Sequence, residues 1–259
     1  MDVEKVVVIT PVYNESREMI LKLLIGFMQV QSQLAGRGVE LLHFFLDDDA
    51  THLPPECQRL VTHTENQQLA RTLLDGYSAV LEQHPDADVV IRMDCQEHDP
   101  AMIPRIIDAF RFSPVQALFL PVCYWVAGQP RPLMRQITQD IADFTAALSP
   151  VKSEKILRVY NQKFPLGFQA FTLPVITRLL PMLERGYEVF EQRHGRPSWG
   201  FDLLAIILAA NLFPGEIDFL FGGWMPPWEE NRPAEKIEAQ RRKAEAIVDV
   251  AIGLGCKTV

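Results

Sequence analysis

The sequence predicts an α/β fold built on a doubly wound, mostly parallel sheet with helices on both faces. Short apolar runs of strand length alternate with longer segments whose apolar residues recur at helical spacing. This alternation continues to about residue 122 and is typical of parallel strands joined by crossover helices. Acidic residues follow two of the apolar runs, and in open sheets of this class ligands bind at the carboxyl ends of the strands.

Four apolar runs predict the strands of this sheet. The first, residues 6–9, is β-branched throughout, as is typical of a central strand covered on both faces. Pro11 follows this run and lacks the amide that pairing requires, so we expect the strand to end there. The other runs cover residues 41–46, 89–91 and 117–122, and residues 216–221 predict a later strand.

Amphipathic segments predict the helices. The first begins near Met19, can be capped by Asn14 or Ser16, and is stopped by Gly36 and Gly38. The remaining predicted helices cover residues 66–81, 102–110, 133–148, 174–185, 203–210 and 234–252. Residues 128–132 and 222–228 are rich in proline and glycine and predict loops.

Composition favours one globular domain over residues 1–259, with 48% hydrophobic and 22% charged residues. The formal net charge of -8 excludes a broad electrostatic surface for nucleic acid. The four cysteines are scattered without metal spacing and we see no signal peptide, so we expect a cytoplasmic protein. No apolar run approaches the roughly 18 residues of a membrane helix, which leaves at most peripheral contact with a membrane.

Two groups of acidic residues stand where predicted strands end. Asp47 and Asp48 follow the second run, and Asp94 follows the third, with Gln96 and Glu97 close behind. Carboxylates at this edge suit a hard divalent cation that bridges to phosphate oxygens. The alternative is that these acids merely cap and solvate the ends of strands, and the residues alone fit both interpretations.

Taken in order, several stretches resemble the inverting GT-A glycosyltransferases of family 2, especially the dolichol- or polyprenyl-phosphate sugar synthases. Residues 9–15 look like the strand and turn that hold the nucleotide base, and residues 46–51 look like the strand that ends in paired aspartates. Residues 93–100 are similar to the metal-binding DxD segment, and residues 167–171 resemble the strand on the acceptor side. The resemblance covers roughly residues 5 to 225.

The resemblance implies a Rossmann-like sheet of GT-A type, with a nucleotide-binding half over residues 1–122 and an acceptor-side half with a closing helix over residues 123–259. The implied nucleotide contacts are Pro11, Tyr13, Asn14, Glu15, Asp47 and Asp48. The implied ligands of Mg²⁺ or Mn²⁺ are Asp94, Gln96 and Glu97. The implied acceptor-side residues are Gly167, Phe168, Gln169, Trp199 and Trp224. A cation held here would neutralise the charge that develops on the leaving diphosphate.

Asp202 is the predicted catalytic residue, because it stands where many members of the family carry an acidic residue. Inverting transfer to a hydroxyl needs a carboxylate base on the face opposite the leaving group. If the acceptor is an ionised phosphate, no base is needed and Asp202 would position groups instead. The alternative is that Asp202 is merely an acid in the first turn of a helix, where the helix dipole favours it. Trp224 likewise has two interpretations, stacking on a sugar or ordinary packing within the protein.

We therefore expect a hexosyltransferase that moves a sugar, with inversion and with metal assistance, from a UDP- or GDP-linked donor to an unidentified acceptor. The alternative is a protein of GT-A shape that binds a nucleotide or sugar without transferring it, because Gln96 stands where the family's metal motif carries an aspartate. A nucleotidyltransferase shares this type of sheet but needs a glycine-rich basic loop after the first strand, which residues 11–17 do not provide.

Overall fold

The computed structural model describes residues 1–50, 53–95, 99–120, 122–126, 129–130, 168–197, 201–220, 223–225 and 234–256. The strands are β1 Lys5–Val12, β2 Glu40–Asp48, β3 Arg59–His63, β4 Val89–Arg92, β5 Ala117–Phe119, β6 Val122–Val126, β7 Gln129–Pro130, β8 Gln169–Thr172, β9 Ile217–Phe219 and β10 Gly223–Met225. The helices are α1 Arg17–Ala35, α2 Gln68–Gln83, α3 Ile103–Phe112, α4 Leu173–His194, α5 Phe201–Leu212 and α6 Ala234–Gly253, with a short 3-10 helix at Pro100–Met102. The helix predicted over residues 133–148 lies outside the described residues.

Within the described residues, the main sheet has seven strands in the order β3-β2-β1-β4-β8-β5-β9. Strand β8 runs antiparallel to both of its neighbours, β4 and β5, and the other pairs are parallel. The predicted mostly parallel sheet is therefore confirmed. Strands β10, β6 and β7 form a smaller sheet, so two segments predicted as loops, residues 128–132 and 222–228, each contain a short strand.

Helices cover both faces of the main sheet, as predicted for a doubly wound fold. Val6 and Val8 of β1 pack in one apolar core with α1 and α3. Val7 and Ile9 point to the opposite face and pack in a second core with α2, α4, α5 and α6. The β-branched run at the start of the chain is therefore buried on both sides, because alternate side chains of a strand point to opposite faces.

Strand β1 continues through Pro11, contrary to the prediction that the strand ends there. Pro11 lies beside Leu46 in the register with β2, and β1 ends only at Val12. The Ile9 carbonyl accepts a hydrogen bond of 3.0 Å from Met93, on the β4 side. Two residues further along, the nitrogen of Pro11 points to the same side, beyond the last pair of β1 with β4. The missing amide therefore costs no bond within the sheet.

The carboxyl edge of the sheet is bordered by helices that begin there. Helix α1 starts directly after β1, and the Ser16 hydroxyl accepts from the Met19 amide at 3.3 Å as its N-cap. Helix α2 approaches β2 so closely that a Cβ at Gly76 would collide with Leu46. This close packing places the start of α2 beside the end of β2.

Candidate functional site

Three neighbouring parallel strands, β2, β1 and β4, end at the same edge of the main sheet. Asp47 and Asp48 are the last residues of β2, and Asp94 follows β4 by two residues. The structure therefore brings both predicted acidic groups to one edge, together with the turn after β1.

Asp47 holds the turn and loop that follow β2. Its side chain accepts from the Ala50 amide at 2.8 Å and from Arg59 Nε at 3.1 Å. Arg59 also donates to the carbonyls of Leu53 and Cys57, at 3.2 and 3.3 Å. Both oxygens of Asp47 thus have protein partners, and only 7% of the residue is exposed.

Asp48 is the first member of a chain of side chains that contact one another. Its Oδ1 accepts from the Gln67 amide at 2.7 Å and lies 2.9 Å from His63 Nδ1. The other ring nitrogen of His63 lies 3.2 Å from Asp75, which also pairs with Arg71 along α2. Asp48 is 4% exposed. Because its Oδ1 accepts from the Gln67 amide, it fixes the start of α2 against the end of β2.

The turn after β1 offers accessible side chains beside these buried aspartates. The Tyr13 amide donates to Glu15 Oε2 at 2.6 Å, and the Tyr13 residue is 41% exposed. Asn14 is also exposed, whereas Pro11 is buried. Tyr13 and Asn14 therefore have the accessibility that contact with a ligand requires.

Asp94 and Asp202 meet at one buried arginine, Arg92, the last residue of β4. Arg92 Nη2 donates to Asp94 Oδ1 at 2.9 Å, and Nη1 forms an ion pair with Asp202 Oδ1. The side chain of Arg92 is 1% exposed, against 26% for Asp94 and 15% for Asp202. Gln169 Nε2 donates to the Asp202 carbonyl at 3.3 Å. The predicted metal ligand Asp94, the predicted catalytic residue Asp202 and the predicted acceptor-side strand β8 are thus brought together.

Sequence reasoning missed Arg92. A possible signal was an arginine at the end of an otherwise apolar run, two residues before an aspartate. A charged residue in a buried strand needs a partner, and Asp94 was the nearest candidate. The pairing with Asp202 had no counterpart in the local sequence.

Burial shapes the proton affinities around this cluster. Burial, followed by the charges of Glu15 and Asp94, raises the pKa of the Cys95 thiol to about 12. Burial also raises the pKa of Tyr77 to about 12, while Arg92 acts to lower it. Both groups therefore stay protonated near neutral pH.

A divalent cation was predicted at Asp94, Gln96 and Glu97, of which only Asp94 is described. The described residues contain no group of three His, Cys, Asp or Glu side chains that could hold a metal ion. Mg²⁺ bound with a nucleotide commonly uses one or two protein carboxylates together with substrate phosphates. The partly exposed Asp94 carboxylate suits that limited protein contribution.

The predicted acceptor-side residues lie in different environments. Phe168 is fully buried in the core shared with α1 and α3, a position that serves packing. Gln169 is 1% exposed and contacts the Asp202 backbone. Trp224 lies on β10, beside Cys123 in the register with β6. Gly167 and Trp199 lie outside the described residues.

Comparison with solved structures defines the class of fold, the α/β sheet of GT-A-type glycosyltransferases, as predicted. The chain is similar to glucosyl-3-phosphoglycerate synthase from Mycobacterium tuberculosis, with a TM-score of 0.63 and 16% identity over 96% of this chain and 81% of that one. A structure of that synthase in complex with phosphoglyceric acid gives a TM-score of 0.59 at 16% identity, over 96% and 80% of the two chains.

Mannosyl-3-phosphoglycerate synthase from Rubrobacter xylanophilus has a TM-score of 0.52 at 9% identity, over 96% of this chain and 73% of that one. No protein-family model and no curated protein sequence matches the chain. At these identities the similarity establishes the fold alone. Among the helices of the described residues, none is long and apolar enough to cross a membrane.

Proposed function

We propose that the protein is an inverting glycosyltransferase that moves a hexosyl group from a UDP- or GDP-linked sugar to an acceptor, with the help of Mg²⁺ or Mn²⁺. The observation that carries this proposal is the pairing of Asp94, at the end of β4, with Asp202, at the start of α5, through one buried arginine. Open sheets of this class bind ligands at this edge. The similarity in fold to two sugar-transferring synthases supports the proposal.

On the donor side, the nucleotide would contact the exposed Tyr13 and Asn14 beside Glu15. Asp47 and Asp48 would shape the adjoining turn, because their side chains are already bonded to the protein. The diphosphate would then lie near Asp94. A divalent cation held there by Asp94, with Gln96 and Glu97, would neutralise charge on the diphosphate as it leaves.

On the acceptor side, Asp202 would receive the acceptor. In the proposed step the acceptor oxygen bonds to the anomeric carbon, and the bond from that carbon to the diphosphate breaks with its electron pair on the diphosphate. The hydroxyl proton goes to Asp202, acting as general base. The ionised carboxylate is the form that can take the proton.

A second candidate function is the binding of a nucleotide or sugar without transfer. It is favoured by the protein partners of Asp47, Asp48 and Asp94, which leave fewer carboxylate oxygens for a ligand. Under this alternative a donor would still stabilise the protein, but no nucleotide would be released.

The two functions separate in a panel of UDP, GDP and their sugar conjugates, each with and without Mn²⁺. A ligand that binds only the folded state raises the unfolding temperature by mass action. We expect one nucleotide sugar to do so with Mn²⁺ and to release its nucleotide when acceptors are added, with phosphoglycerate among them because it binds the similar synthase.

Variants then test the residues. Asp94→Asn should lose the part of the stabilisation that depends on Mn²⁺, and Asp202→Asn should keep donor binding but lose most release. Asp108→Asn is the matched control, because Asp108 pairs with Arg37 beyond α1 and away from this edge. Stabilisation without release would favour the binding protein, and no stabilisation by any nucleotide would refute both functions.

A further inference from the structure

Arg92 is the largest fully buried side chain of the described residues. In the sheet it lies between Ile9 of β1 and Gln169 of β8. Because side chains alternate along a strand, it points to the face that is covered by α2, α4, α5 and α6. It therefore stands where the parallel strands meet β8 and the first turn of α5.

Removing a guanidinium from water costs several kcal/mol, and an apolar residue in the same place is often equally stable or more so. The carboxylates that compensate for this cost are Asp94 and Asp202. Within the described residues, neither Nε nor Nη1 of Arg92 forms a hydrogen bond, and Nη1 contacts Asp202 as an ion pair. The site therefore gives Arg92 two carboxylate partners without satisfying all of its donors, an arrangement that packing alone does not explain.

The geometry of the side chain makes this arrangement specific. The donors of a guanidinium project from one rigid plane. Two carboxylates that bind different nitrogens of this plane are consequently fixed relative to each other. A lysine in the same place would present a single nitrogen on a flexible stem, and that nitrogen would not hold both carboxylates in one geometry.

We propose that Arg92 is a positioning residue that fixes Asp94, on the donor side, relative to Asp202, on the acceptor side. This inference rests on the proposed glycosyl transfer. The transfer requires the acceptor oxygen to approach the anomeric carbon in line with the leaving diphosphate, and misplacement of a reacting group by about 1 Å can cost about 100-fold in rate. Arg92 acts through the two carboxylates and does not itself touch the substrate.

The test is the variant Arg92→Lys, which keeps the positive charge and loses the planar guanidinium group with its several donors. The assay uses the nucleotide sugar that stabilises the wild type, and it measures nucleotide release with water as the acceptor. We expect kcat to fall by about 10- to 100-fold while KM for the donor changes by less than about 3-fold. Arg37→Lys, the same substitution in the ion pair with Asp108, should leave both constants unchanged.

A double-mutant cycle with Asp202→Asn separates positioning from simple stability. If Arg92 acts largely through Asp202, the further loss of kcat on adding Arg92→Lys should be about 10-fold smaller in the Asp202→Asn background than in the wild type. Where Arg92→Lys does not fold, Arg92→Gln takes its place in the Asp202→Asn background, in which one of the two side chains that contact Arg92 is already neutral. There the added substitution should change kcat by less than about 3-fold.

The outcomes distinguish this inference from the proposed function. If the losses in kcat multiply independently, or if only KM changes, Arg92 is not a positioning residue although glycosyl transfer stands. If the wild type releases no nucleotide from any nucleotide sugar, whether or not it binds one, the proposed function fails and this inference fails with it. Non-additive loss of kcat with an unchanged KM supports both.

Discussion

Two pairs of aspartates at the same edge of the sheet are held in place in different ways. Asp47 and Asp48 are fixed by partners nearby in the sequence, including the backbone amides of Ala50 and Gln67. Asp94 and Asp202 instead share the buried cation Arg92. The first pair has several local anchors, whereas both members of the second pair contact Arg92.

The two pairs also differ in how far apart along the chain their partners lie. The anchors of Asp47 and Asp48 lie between the end of β2 and the start of α2, two elements that are close along the chain. The contact of Asp202 with Arg92 requires α5 to be docked on the sheet, where β8 lies between β4 and β5. The arrangement of Asp94 and Asp202 therefore depends on the tertiary fold. Removing Arg92 should lower the free energy of unfolding more than removing any one anchor of Asp47 or Asp48.

The largest expected effect is that of Arg92→Met. It leaves two carboxylates without their cation in a buried site, and we expect a loss of about 3–5 kcal/mol in the free energy of unfolding. Arg59→Met should cost less, because Asp47 keeps the Ala50 amide and the side chain of Arg59 is 32% exposed. Urea unfolding measures both variants. Equal losses would contradict the contrast between the two pairs.

Much of the fold could be predicted from the sequence because its causes are local. The β-branched run of β1, the Ser16 cap and the apolar spacing of α1 each act within a few residues. Strand β3 escaped prediction because it is short and no residue in it is fully buried, so its apolar signal is weak. The prediction that β1 ends at Pro11 was wrong, because the effect of the missing amide depends on where the neighbouring strand β4 ends.

The candidate site could be predicted only in part, for a related reason. Parallel strands end at a common edge, so their order alone brings Asp47, Asp48 and Asp94 together. These three side chains have partners near them in the sequence, whereas the partner of Asp202 depends on packing between distant segments. No local pattern shows that Arg92 would meet Asp202, or that the antiparallel β8 would carry Gln169 to the same place.

A smaller effect is expected at Asp48, where the choice of substitution tests whether hydrogen bonding or charge is important. Asp48→Ala removes the acceptor of the Gln67 amide and the partner of His63 Nδ1, at a cost of about 1–3 kcal/mol in the free energy of unfolding. Asp48→Asn keeps a side-chain oxygen that can accept from the amide, and it should cost less. Urea unfolding of both variants, with hydrogen exchange at Gln67, checks this prediction. If Asp48→Asn costs as much as Asp48→Ala, charge rather than the local hydrogen bond holds this aspartate.

The last prediction concerns acid sensitivity, which would otherwise be attributed entirely to the aspartates. His43 of β2 is buried, stacks on Phe27 at 3.7 Å and lies 3.0 Å from the Thr10 hydroxyl. Burial lowers the pKa of His43 from 6.5 to about 3. Between pH 6.5 and about pH 3, the unfolded chain therefore binds a proton at His43 that the folded protein does not bind. Stability from this residue is complete above pH 6.5 and falls as the pH drops toward 3, by at most about 1.4 kcal/mol per pH unit.

His43→Gln removes this titration and should flatten the loss of stability in that range of pH, even though the substitution itself lowers stability at neutral pH. Urea unfolding from pH 7 to pH 4 measures the slope. The slope that remains in His43→Gln belongs to the carboxylates, and Arg92→Lys and Asp48→Asn can then be compared in that background. If His43→Gln leaves the slope unchanged, His43 does not contribute to it, and the acid sensitivity of the protein arises from its carboxylates.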